Sequence, residues 1–213
     1  MTALTAMTTA TRTTPSCAPA PDTEAATRAA AALLTALGVD WDTVHMARTP
    51  ARLAAAYAEM LTAPAFELTT FPNDQGHDGQ GHDELVVVRD IAFQSLCEHH
   101  LLPFVGVAHV GYLPGERLLG LSKFARLVDF TARAPQTQER LTQQVARQLE
   151  KHLRPRGVGV VLEADHSCMT LRGARAGGAR TVTSTLLGTL RHDPAARAEF
   201  LDLARPARSP GVR

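Results

Sequence analysis

The chain has 213 residues, 45% hydrophobic and 20% charged, enough for one domain with a small appendage and a buried core. Twenty-two Lys and Arg against twenty-one Asp and Glu leave a formal charge of +1, which argues against a dominant nucleic-acid or acidic-membrane footprint. No apolar run nears the roughly 20 residues of a membrane span, and the N-terminus lacks the layout of a secretory signal. The chain reads as a soluble cytoplasmic protein with neither nucleic acid nor membrane as partner.

Residues 1–21, MTALTAMTTATRTTPSCAPAP, form a Thr/Ala/Pro-rich tract too poor in large apolar groups to order itself, and read as a disordered tail. Residues 22–70 read as a helical region. Asp22 is placed to cap a helix through Ala36 that stops near Gly38. Thr49-Pro50 reads as cap and first residue of a second helix ending about Leu61. Residues 72–84, PNDQGHDGQGHDE, are a polar, Gly-rich loop. His77, Asp78, His82 and Asp83 in it are possible metal ligands, but a solvated hairpin tip is the preferred reading.

From Leu85 the pattern turns to β in LVVVRDIAF and FVGVAHVGYL. Two helical stretches follow, Ser122–Arg133 and Gln136–His152, broken at Pro135. Gly157–Ala164 and Thr181–Leu190 return to strand, Asp193 caps a short last helix, and residues 206–213 read as a flexible tail. Strands, two helices and strands again make residues 71–205 an α+β domain, an antiparallel sheet packed under helices.

Three cysteines, Cys17, Cys97 and Cys168, are too few and too odd for a disulfide framework. Cys17 sits in the low-complexity tract. The other two lie in Cys97-Glu98-His99-His100 and His166-Ser167-Cys168. Zinc takes thiolate and imidazole, and a catalytic zinc keeps three protein ligands and a water. Cys97 and His100 are one tight turn apart, and on an extended strand His166 and Cys168 point to one face. Ligation by Cys97, His100 and Cys168 leaves His99 and His166 free for acid/base work at neutral pH. Spacing also permits a closed structural site with a further histidine as fourth ligand, but such sites more often use compact Cys-x2-Cys pairs, which are absent here. His109 and His152 read as packing residues.

Ser122, Lys123 and Arg126 fall within the first turn or so of a helix, a place that suits a phosphate. Solvated cations at an ordinary helix start fit equally well. The chain has only two lysines, so Lys123 is not a product of composition. No Walker-type Gly-x4-Gly-Lys-Ser/Thr is present, which excludes a P-loop. In Pro135-Gln136-Thr137-Gln138-Glu139-Arg140, Glu139 could accept two hydrogen bonds from guanine, although chemistry alone favours a surface acid. Arg172 follows Cys168 by four residues.

Taken in order, SLCEHHLLPFVGVAHVGYLP, LGLSKFARLVDF, PQTQERLTQQV and ADHSCMTLRG resemble GTP cyclohydrolase I of the zinc-dependent type, from about Thr49 to Leu190. The resemblance implies the tunnelling fold, one zinc per subunit on Cys97, His100 and Cys168, and catalytic histidines at His99 and His166. It further implies guanine reading by Gln138 and Glu139, and ribose and triphosphate binding by Ser122, Lys123, Arg126, Arg172 and Arg52, the last in TPAR. The implied reaction is hydrolysis of GTP to formate and 7,8-dihydroneopterin triphosphate, by a zinc-activated water attacking C8. The product feeds folate, pterin-cofactor or deazapurine synthesis, and the implied assembly is a toroidal homodecamer with sites between subunits. The stretch ARAGGART departs from the family, with Ala179-Arg180 where relatives often carry small hydroxyl residues. Two other readings fit the residues less well. A zinc deaminase needs a Pro-Cys-x-x-Cys that is absent, and a silent pterin- or purine-binding relative would lack some of the five metal and histidine positions, all of which are present.

Overall fold

The computed structural model describes residues 9–13, 20–74 and 81–205. Cys17, His77, Asp78 and the tail at 206–213 lie outside the described residues. Two N-terminal helices come first, α1 (Thr23–Ala36) and α2 (Thr49–Leu61). The Asp22 carboxylate accepts from Ala25 N at 2.9 Å and caps α1, which ends before Gly38 at φ +72°. Thr49 lies inside α2 and Arg48 is its cap, one residue earlier than the sequence suggests, with Pro50 in the first turn where no N–H is needed.

The larger sheet has four antiparallel strands: β3 (Val86–Cys97), β4 (Pro103–Leu113), β7 (Gly157–His166) and β8 (Thr181–Gly188). Pro135–Gln136, β6, add a two-residue parallel edge beside Leu96 and Cys97. A smaller sheet joins β1 (Thr9–Thr13), β2 (Phe66–Pro72) and β5 (Arg117–Leu119) in the order β1-β2-β5. Two of these elements differ from expectation. Thr9–Thr13, inside the tract read as disordered, runs antiparallel to β2, whose free edge offers unpaired backbone groups to a threonine-rich segment. Residue 70, where the helical region was expected to end, falls within β2.

Helices α3 (Ser122–Ala132) and α4 (Gln138–Leu153) cover one face of the large sheet. Phe124, Leu127 and Val128 of α3 and Leu141, Val145 and Leu149 of α4 are fully buried against Phe104, Ala108, Val110, Val160 and Leu162. Each such leucine contributes roughly 1.5–3 kcal/mol by leaving water. Helix α4 starts two residues later than expected, because Pro135 and Gln136 pair with β3 and the Thr137 hydroxyl caps the helix by accepting from Arg140 N at 3.2 Å. That shift places Gln138 and Glu139 in its first turn.

The opposite face is covered at one end by α7 (Pro194–Leu203), which follows the short α6 (Thr189–His192) and is capped by Asp193. Phe200 lies across Gly111 and Gly159, which pair with each other on β4 and β7. A Cβ on Gly159 would sit 2.5 Å from the Phe200 ring, so only glycine admits this contact.

Candidate active site

Strand β3 ends at Cys97, and the chain reverses through Glu98–His100 into β4. Leu101 takes φ +51° to close the turn, its N–H donating to Cys97 O at 2.7 Å, while Cys97 N–H donates to Leu102 O at 2.9 Å. The third cysteine position comes from a different local structure than expected. Strand β7 ends at His166, and Ser167–Thr170 form a helical turn, α5, so Cys168 reaches the site from that turn and not from an extended strand. Sγ of Cys97, a ring nitrogen of His100 and Sγ of Cys168 lie within 4.8 Å of one another. Burial, and behind it the adjacent Cys97 thiol, push the Cys168 thiol up. Two thiols facing one imidazole at this spacing are a soft, electron-rich donor set that a divalent cation of zinc's type satisfies.

Both remaining histidines stand beside that cluster. His99 Nδ1 is 3.7 Å from Cys97 Sγ. His166 Nε2 is 2.8 Å from Gln138 Oε1, and its ring stacks on Phe104 at 4.5 Å and 4°. Burial lowers the proton affinity of His166 against the opposing pull of the Glu139 and Asp165 carboxylates. Arg172 Nη1 stands 3.4 Å from His100 Nε2.

Several supports were not visible as site residues in the sequence. Arg140 bonds Glu98 at 2.6 Å, donates to Pro135 O at 2.6 Å and to Gln136 Oε1 at 3.0 Å, and so ties the turn that carries Cys97 and His100 to α4. Glu98 N–H donates to Gln136 O at 2.9 Å, and Tyr57 of α2 donates to Leu101 O at 3.1 Å. Only the adjacency of Glu98 to Cys97 and of Arg140 to Glu139 hinted at this brace.

Glu139 is exposed and lines a cleft of about 470 Å³ between α4 and β8, together with Thr137, Thr142, Thr183, Ser184 and Thr185. Gln138, by contrast, is 1% exposed. A larger hollow of about 630 Å³, lined by Gln94, Val105, Val107, Glu163 and Asp165 among others, holds none of the expected site residues. There Arg180, the departure noted above, pairs with Glu163 at 2.7 Å.

The expected phosphate residues do not all join this cluster. The C-terminal end of α3 lies near it, since Ser95 Oγ donates to Ala132 O at 2.7 Å. Ser122 and Lys123 sit at the other end of the helix, roughly 15 Å away at 1.5 Å per residue. Arg126 is exposed on α3 and Arg52 on α2.

The family model of GTP cyclohydrolase I matches residues 26–205, most of the chain. The chain belongs to the GTP cyclohydrolase I family. It is 52% identical over 177 residues to GTP cyclohydrolase 1 of Mycobacteroides abscessus, covering 80% of this chain and 84% of that protein. It is 49% identical over 176 residues to GTP cyclohydrolase 1 of Streptococcus thermophilus, covering 81% and 92%. Among solved structures, an archaeosine synthase QueF-Like in the apo form aligns with TM-score 0.41 and 18% identity over 49% of this chain and 93% of that one. Family membership and the antiparallel sheet under two helices agree with the tunnelling fold expected from sequence.

Proposed function

We propose that this chain hydrolyses GTP and rearranges it to 7,8-dihydroneopterin triphosphate, releasing formate. The observation that carries the reading is the Cys97–His100–Cys168 donor cluster with His99 and His166 beside it. Zinc, held by those three side chains, supplies when bound a Lewis acid that brings a water's pKa toward neutrality. His99 and His166 give and take protons as the five-membered ring of the purine opens and the ribose rearranges. Glu139 accepts two parallel hydrogen bonds from the N1–H and amine of guanine at the mouth of its cleft. Ser122, Lys123, Arg126, Arg172 and Arg52 bind ribose and triphosphate.

The catalytic part we place in residues 71–205, in the cytoplasm where the nucleotide is found. The distance between the metal cluster and the start of α3 supports self-association, with one copy's phosphate residues completing another's site in a toroidal homodecamer. The product's consumers are reactions that build folate, a pterin cofactor or a deazapurine. Zinc-loaded protein is expected to release formate from GTP and form the dihydroneopterin chromophore in equal amounts. Bound zinc with no formate released would refute the proposal.

A further inference from the structure

Gln138 lies in the first turn of α4 with its side chain out of solvent. Its Nε2 donates to Leu162 O at 3.1 Å and to Thr181 O at 2.9 Å, and lies 3.2 Å from Thr183 Oγ1. Backbone carbonyls only accept, so the amide has one permitted orientation: turned over, its oxygen would face two carbonyl oxygens. Both amide hydrogens are thereby taken, and none is left for a base. The orientation presents Oε1 to His166 Nε2 at 2.8 Å. An amide oxygen carries no hydrogen, so the hydrogen of this contact belongs to Nε2. The stack on Phe104, nearly parallel at 4°, holds the ring in the plane that makes the bond.

We infer that Gln138 reserves Nε2 of His166 as a permanent donor, so that every proton His166 exchanges with the substrate enters and leaves at Nδ1. Gln138 is on this account a positioning residue and not a reader of guanine. The inference rests on the proposed role of His166 in proton transfer, but the hydrogen-bond lock can be measured without turnover. Neutral and protonated rings both keep the Nε2 hydrogen, so the assignment holds in either charge state. A histidine that works through one nitrogen while the other is tethered is the arrangement general acid/base catalysis needs, because the wrong tautomer puts a hydrogen where a lone pair must be.

The test is solid-state NMR of the zinc-loaded protein labelled with 15N-histidine, at alkaline pH where the ring is neutral. His166 is assigned by the signals lost in His166→Asn. Expected is a protonated Nε2 and a bare Nδ1 in the wild type, and a mixture or the reverse in Gln138→Met, which keeps the shape but not the amide. Turnover of Gln138→Met should fall at least about ten-fold in kcat, with KM for GTP within about two-fold. A bare Nε2 in the wild type overturns the inference whether or not any variant folds. So does Gln138→Met with an unchanged tautomer, or with raised KM and intact kcat, the signature of a base reader. A wild type with the expected tautomer but no GTP turnover would leave the lock standing and sink the proposed activity instead.

Discussion

Two histidines of the same sheet, His166 and His109, lie on opposite faces and share one physical property: burial makes each harder to protonate. They differ in partners. His166 ends β7 on the helical face, with one nitrogen tied to Gln138 and a soft donor cluster alongside. His109, in the middle of β4, is fully buried. Its Nδ1 accepts from Asp90 N at 3.3 Å, across the bulge where Asp90 takes φ +57°, and its Nε2 has no partner among the described residues. Burial alone therefore does not mark a working histidine. The two differ in what holds the ring: His166 is tethered at Nε2 by a side-chain amide and stacked on Phe104, whereas His109 has only a backbone N–H at Nδ1.

The contrast can be broken most severely at the donor cluster. Cys168→Ser should remove bound zinc and lower formate release by at least about 10³-fold, several kcal/mol of transition-state stabilisation, as checked by metal analysis and GTP turnover on one preparation. The two histidines should then separate. His166→Asn is expected to lower kcat by about 10²–10⁴ with little change in thermal midpoint, whereas His109→Leu should leave kcat within about two-fold. Equal losses from both substitutions would erase the distinction.

A smaller effect is expected at the brace. Arg140→Ala frees Glu98 and loosens the turn that carries Cys97 and His100, so zinc should dissociate about ten-fold more readily in a chelator competition, with turnover restored by excess zinc. The smallest effect concerns pH. Folding binds the His109 proton more weakly than the unfolded chain does, so its contribution to stability is complete above the ordinary value of 6.5 and declines as pH falls below it. Denaturation midpoints of the wild type should drop on acidification through that range, and His109→Leu should drop less. His152 and His166, also lowered by burial, add to the wild-type slope with the same sign.

Much of the site was legible in the chain. Cys97, His99, His100, His166 and Cys168 announce themselves by residue type and spacing, because a thiolate or imidazole at one-turn separation has few uses besides a metal or proton transfer. Helices α1–α4 and α7 were legible within two residues, since apolar periodicity and caps such as Asp22 and Asp193 act locally, whereas Thr189–Leu190, read as strand, belong to α6. The helical turn at Ser167–Thr170 was not. Four residues carry too little pattern, and the turn is set by where β7 ends against β4, with Ser167 Oγ donating to Pro103 O at 2.5 Å.

Composition and motif spacing by themselves determined that this chain builds an α+β domain around a thiolate–imidazole centre, because donor chemistry and periodicity are properties of neighbouring residues. Only the tertiary structure decided that Gln138 holds His166, that Arg140 braces Glu98 and that Thr9–Thr13 joins β2. Those pairings join groups from 28 to about sixty residues apart. Whether an amide faces a base, a carbonyl or a ring nitrogen depends on how closely packed elements bring it to each, and that distance is not written in local sequence.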